Sequence, residues 1–183
     1  MSQLRLEKDD LEHVPVIPLP EGYVLRTFRE GDEVGIARVY AESMLGNETP
    51  EAVRKTIMEH PCYTPQRVFV VEHAGTLAGT AAAWIANGNP GVGYLHMVGT
   101  LPEHRGRRLG SILTIAAIEY SRNEGFTRQQ LATDEWREPA LRMYLDLGYD
   151  PLITDDTHPA RWEALVEKLG RPEILAHARD ARS

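Results

Sequence analysis

The chain has 183 residues, 42% hydrophobic and 26% charged, proportions that suit one globular domain able to fold without disulfides or structural metal. Its 27 acidic against 20 basic side chains leave a formal charge of -7, which excludes a general nucleic-acid coat, so any bound anion must be met by local positive charge. The single Cys62 cannot pair internally, no stretch approaches the roughly 20 apolar residues of a membrane span, and the polar first residues lack a secretory core; a reducing cytoplasm and no membrane partner are expected.

Residues 1–20 contain Val14-Pro15-Val16-Ile17-Pro18-Leu19-Pro20, whose prolines disfavour both a helix interior and a central strand, and read as an extended N-terminal arm. Tyr23 to Phe28 has strand composition, and a helix starts at Asp32 with Val34, Ile36, Ala37, Val39 and Tyr40 apolar. Gly46-Asn47 breaks the chain. Thr49-Pro50-Glu51, an N-cap followed by proline at the first helical position, opens a second helix that runs to about His60. Arg67 to Glu72, a turn at His73-Ala74-Gly75 and Leu77 to Trp84 read as a β-hairpin, and after the turn at Asn87 to Gly91, Val92 to Thr100 is a third consecutive strand. A helix from Leu109 to Glu124 closes at Gly125. A strand from Arg128 to Thr133, a short helix from Pro139 to Leu147 and an extended piece at Tyr149 to Leu152 follow. Residues 154–183 form a helical C-terminal extension, in which His158 to Leu169 carries Trp162, Leu165, Val166 and Leu169 on one stripe.

The stretch Arg105-Gly106-Arg107-Arg108-Leu109-Gly110-Ser111 joins a strand to a helix. A helix beginning here aims unpaired backbone N–H groups and the positive end of its dipole at whatever lies above the turn. Glycines at 106 and 110 allow a ligand to approach the backbone, and three arginines add local charge. The same pattern is open to a plainer reading, an ordinary turn with solvated arginines. It contains neither Gly-x-x-x-x-Gly-Lys-Ser/Thr nor Gly-x-Gly-x-x-Gly, so no Walker-type or dinucleotide-binding loop is implied.

Here the chain resembles the GNAT superfamily of N-acetyltransferases, whose Arg/Gln-x-x-Gly-x-Gly/Ala turn binds the pyrophosphate of acetyl-CoA. Arg105 to Gly110 matches it, with Arg108 at the usual central glycine. A second match is Ala140-x-x-x-Tyr144-x-x-x-Gly148-Tyr149, with Arg137 where the family often has a cofactor-contacting Asn. The element order from Tyr23 to Leu152 also follows the family. The resemblance implies an α/β (α+β) fold: a mixed, mainly antiparallel central sheet flanked by helices, splayed between its fourth and fifth strands, with a core at 21–153. It also implies acetyl-CoA as co-substrate and direct transfer to a primary amine on a small molecule or peptide, by a monomer or homodimer. The other function class is a non-catalytic acyl-CoA sensor or scaffold.

By the same resemblance, Val98, Gly99 and Thr100 on the splayed strand bind the cofactor, together with Arg105, Gly106, Arg107, Arg108, Leu109, Gly110 and Ser111. Gly99 marks either a bulge or a packing contact. Tyr144 is the candidate general acid, since a phenol stays protonated at neutral pH; its alternative is a core tyrosine. His96, with an ordinary pKa near 6.5, is the candidate base and should impose a pH–rate limb near that value; its alternative is a packing histidine. His60, Cys62 and His73 lack paired metal-ligand spacing, and no metal is expected. Trp84, Tyr40 and Trp136 either line an acceptor pocket or belong to the core.

Overall fold

The computed structural model describes residues 2–43, 45–46 and 49–182; Asn47, half of the expected chain break, lies outside them. The strands are β1 (Leu4–Lys8), β2 (Tyr23–Thr27), β3 (Val68–His73), β4 (Thr76–Ile85), β5 (Gly93–Thr100), β6 (Gln129–Thr133), β7 (Asp150–Ile153) and β8 (Arg179–Asp180). They form one sheet in the order β2-β3-β4-β5-β6-β1-β7-β8. Pairing is antiparallel except for β5 with β6 and β7 with β8. The helices are α1 (Asp32–Glu42), α2 (Pro50–Val53), α3 (Leu109–Asn123), α4 (Glu138–Asp146) and α5 (His158–Leu169).

Two clusters sandwich the sheet. On one face Leu109, Leu113, Ala117 and Ile118 of α3 pack on Leu4, Leu6, Ala81, Leu95 and Leu131, joined by Leu141 and Leu145 of α4 and Trp162 and Leu165 of α5. On the other, Ile36, Ala37 and Tyr40 of α1, with Val53 and Ile57, cover Val68, Val70, Ala82 and Trp84. This second cluster contains no residue of β6 or β1, so Arg5 and Gln130 face a part of the sheet that it leaves open.

The segment read as an extended arm supplies an interior strand. β1 pairs with both β6 (Leu6 with Leu131) and β7 (Leu6 with Pro151). The prolines that argued against a strand lie at 15, 18 and 20, beyond Leu4–Lys8, and Leu4 and Leu6 are fully buried with Arg5 exposed between them, the alternation of a strand. Buried Glu7 accepts hydrogen bonds from Gln130 Nε2 (2.8 Å) and Arg179 Nη1 (2.8 Å), tying both ends of the chain to β6.

Two further details differ from expectation. Val34 is 60% exposed while Glu33 is buried, because Glu33 accepts from Arg54 Nη2 at 2.6 Å. The second helix is α-helical only over Pro50–Val53 and continues as a π-helical turn over Arg54–Met58, ending short of His60.

Candidate active site

The site follows from a defect in the sheet. β5 pairs with β6 only at Gly93–Gln129 and Tyr94–Gln130; from Leu95 onward the two strands diverge. On its other edge β5 is bulged, since Thr80 pairs with Gly99 but Ala82 with His96, so β5 takes three steps where β4 takes two. The residue in the left-handed region is Met97, at φ +53°. The bulge is therefore at Met97 and Val98, and Gly99 answers to the packing alternative: a Cβ there would lie 2.8 Å from Leu45 Cδ1 and 3.0 Å from Val39 Cγ1. Glycine lets α1 sit close against the splayed strand.

Beyond β5 a 3-10 turn over Pro102–His104 leads into α3. None of the backbone amides of Gly106, Arg107, Arg108, Leu109, Gly110 and Ser111 donates to another group among the described residues. Gly106 (φ +77°) and Arg108 (φ +60°) both take left-handed conformations, which turn successive N–H groups to one side, the geometry of an anion nest. Arg108 thus keeps the backbone shape that glycine adopts most readily. Gly110 serves a different purpose: a Cβ there would lie 3.0 Å from Met143 Sδ of α4.

The residues carrying these amides, Arg107 apart, line a cleft of about 500 Å³. Of the residues anticipated for the cofactor, Val98, Gly99, Thr100, Arg105, Gly106, Arg108, Leu109, Gly110 and Ser111 line it, with Tyr144. Arg107 does not. Its guanidinium bends back to the carbonyls of Glu103 (2.9 Å) and Arg105 (3.3 Å) and braces the turn. His104 also lines the cleft and bonds through Nδ1 to the Tyr23 hydroxyl at 2.7 Å.

Tyr144 sits where two spaces meet. Its i,i+4 relation to Ala140 puts both on one face of α4, and both line the cleft and an adjoining cavity of about 280 Å³ under the splay. Burial, foremost, pushes its phenol well above the ordinary tyrosine range, so the hydroxyl keeps its proton. His96 does not reach the cleft. It lines the cavity under the splay and a further one of about 260 Å³, shared with Arg5, His60, Trp84 and Tyr94. Burial, seconded by His60, lowers its pKa to about 4, below the ordinary value near 6.5 on which the expected pH–rate limb rests.

Several lining residues escaped the sequence reading. Arg137 lines both the cleft and the cavity under the splay. It donates to the Ser43 carbonyl (3.2 Å), pairs with Asp134 (3.3 Å) and stacks its guanidinium 4.1 Å from the centroid of Trp136. Ser43 in turn donates to the Thr100 carbonyl at 3.1 Å. Arg137 was noted only as a departure from a motif; its reach to α1 has no local signal. Trp136 is exposed at the cleft mouth, Trp84 is buried beside His96, and Tyr40 is core.

The sequence pattern of the Acetyltransferase (GNAT) family matches residues 25–149. A mycothiol acetyltransferase of Thermobispora bispora is 36% identical over 152 residues, covering 78% of this chain and 51% of that protein. One of Thermomonospora curvata is 31% identical over 148 residues, covering 78% and 49%. The chain thus spans about half the length of these curated relatives. Among solved structures, a GCN5-related N-acetyltransferase from Sphaerobacter thermophilus superposes with a TM-score of 0.64 at 21% identity, over 82% of this chain and 49% of that one. A tandem GNAT protein from the clavulanic acid biosynthesis pathway gives 0.62 at 23%, over 82% and 50%. These two likenesses speak to the fold.

Proposed function

Because this chain belongs to the Acetyltransferase (GNAT) family, we propose that it moves an acetyl group from acetyl-CoA to a primary amine by direct transfer in a ternary complex. The observation that carries this reading is the set of unengaged amides at Gly106 and at Arg108 to Ser111, whose residues line a cleft that Tyr144 also lines. An amide nest beside Arg105 and Arg108 fits a pyrophosphate, and the edge of Val98, Gly99 and Thr100 that β6 does not pair fits an amide-bearing arm. The mycothiol acetyltransferase relatives support acetyl transfer.

Acetyl-CoA supplies the acetyl group and a thiolate leaving group. Tyr144, protonated and at the junction of cleft and cavity, gives the proton that the departing sulfur needs. His96, neutral and facing the cavity under the splay, accepts the proton that the attacking amine releases, directly or through water. With a pKa of about 4 it holds that proton only transiently and passes it to solvent. In this reading backbone N–H groups of the bulged strand stabilise the carbonyl oxygen as charge develops on it. No feature of the site favours the sensor reading. The free Cys62 and the net charge of -7 support a reducing cytoplasm and no nucleic-acid partner, and the chain acts as a monomer or homodimer; among the described residues no helix is long and apolar enough to cross a membrane.

The test is calorimetric titration with CoA, followed by thiol release from acetyl-CoA across a panel of primary amines. Saturable CoA binding and amine-dependent release are expected. Binding without release for every amine would leave a sensor, and absence of binding would overturn the reading altogether.

A further inference from the structure

Deepening the acetyl-transfer reading, on which this rests, we propose that Arg137 is a positioning residue for the transfer. Its fixed positive charge, at the junction of the cleft and the cavity under the splay, lets Tyr144 give up its proton to the departing thiolate. Four of the described residues line both spaces: Val98, Arg137, Ala140 and Tyr144. Arg137 is the one among them with a full charge at neutral pH, and the described lining of the cavity holds no other Arg or Lys.

Helix geometry turns Tyr144 toward Arg137. The Arg137 carbonyl accepts from the amides of Ala140 and Leu141, both at 3.0 Å, which makes Arg137 the N-cap of α4. Tyr144 follows two turns later on the same face, with about 10 Å of helix rise between them. Long helical side chains lean toward the N-terminus, so the tyrosine shortens that span from its own end. Ala140 stands between them on that face and is too small to block it. Arg137 is also the cation that draws the Tyr144 phenol down, against burial and Tyr94, which push it up.

The acid needs that help. A tyrosine raised above its ordinary value near 10 is a weaker acid than a thiol, whose ordinary value is near 8.5. When the C–S bond breaks, its electron pair goes to sulfur and the phenolic proton follows, an uphill transfer that leaves a tyrosinate. A buried anion is costly, and a fixed cation nearby lowers the cost. The tyrosinate then regains a proton from solvent, which has received the one released by the amine, so no charge accumulates over a turnover.

The guanidinium is held for this role. Nε donates to Asp134 at 3.3 Å, Nη1 donates to the Ser43 carbonyl at 3.2 Å, and the plane lies 4.1 Å from the Trp136 centroid. Asp134 offsets the charge only in part, since its side chain is 32% exposed against 19% for Arg137 and water screens it more. The other titratable groups around Tyr144 are Tyr94 of β5, Tyr149, whose ring lies 5.9 Å away, and His96 on the cavity lining. Burial raises both tyrosines and lowers the histidine, which favours the neutral form of each.

The experiment is a double-mutant cycle on the full chain, read by single-turnover release of CoA thiol from acetyl-CoA. The acceptors are hydroxylamine, a small amine nucleophile, and the fastest primary amine of the panel. Arg137→Gln should slow release about tenfold in the wild-type background and less than about twofold in Tyr144→Phe, which has no phenolic proton to give. Arg137→Lys keeps the charge and loses the guanidinium contacts, and should stay within about threefold of wild type. Arg137→Met, neutral and of similar length, repeats the cycle should Arg137→Gln fold poorly. Equal losses in both backgrounds, or Arg137→Lys as slow as Arg137→Gln, would overturn the role and leave Arg137 a structural clamp; a neutral variant as fast as wild type would overturn it too. No release by wild type with hydroxylamine or any amine of the panel would instead sink the acetyl-transfer reading.

Discussion

The turn from Arg105 to Ser111 is built from consecutive residues, whereas the cavity beside His96 draws Arg5, His60, Trp84 and His96 from separate segments of the chain. The turn needs only a strand end, two left-handed residues and a helix start to present its amides. The cavity needs the whole sheet: β1 must slot beside β6, β5 must diverge after Tyr94, and the turn after Met58 must bring His60 onto Trp84. Local backbone geometry makes the first site robust to changes elsewhere, while the second inherits every error in strand register. Perturbing each region by itself tests this contrast.

The largest effect should come from the N-terminal strand. Leu6 is fully buried between β6 and β7, so Leu6→Ala should cost about 2–5 kcal/mol of global stability in urea unfolding. A cost below about 1 kcal/mol would show β1 to be a loosely added arm. Next is Tyr144→Phe, which leaves the ring packing and removes the donor. Turnover should fall by roughly 10²-fold with CoA affinity nearly unchanged, and a near-normal rate with chemistry limiting would return Tyr144 to the core.

On the turn itself, Gly110→Glu brings a side chain against Met143 and a negative charge to the amide nest. CoA should bind at least about tenfold more weakly by calorimetry, while unfolding shifts much less than in Leu6→Ala. Equal damage to fold and affinity would erase the distinction between the two regions.

The smallest effect concerns pH. With its pKa at about 4, His96 stays neutral as pH falls from 7 to 5, so kcat should be flat there and drop only as pH passes through about 4. His96→Gln should lower kcat severalfold and remove that limb; a wild-type limb near 6.5 would mean that the imidazole is solvated. The sign for stability is also set. The unfolded histidine, near 6.5, binds more protons than the folded one between 6.5 and 4, so stability declines with falling pH across that window. His96→Gln should flatten the decline in urea titrations at pH 7 and pH 5.

Much of this fold could be read along the chain, for reasons visible in particular elements. α5 begins at His158 and ends at Leu169 as its apolar stripe requires, and Ala74 with Gly75 makes the left-handed hairpin turn. The strand from Val92 to Thr100 was legible and a bulge in it was expected at Gly99, but its position at Met97 was not, because Met97 carries no local mark of positive φ. Arg107 was expected at the cofactor by resemblance to the family, and its bonds to the carbonyls of Glu103 and Arg105 hold its guanidinium on the turn and outside the cleft lining. His96 looked like an ordinary imidazole, and only its burial near His60 lowers its pKa.

The sequence by itself determined the order of the elements, the amide-rich turn, and the spacing that puts Ala140 and Tyr144 on one helical face, since each follows from backbone geometry within a few residues. Tertiary structure decided where β1 lies, how far β5 and β6 separate, and which side chains share the cavity with His96. Hydrogen-bonded register between distant strands sets those distances, and the burial that follows sets the charge state of the groups inside.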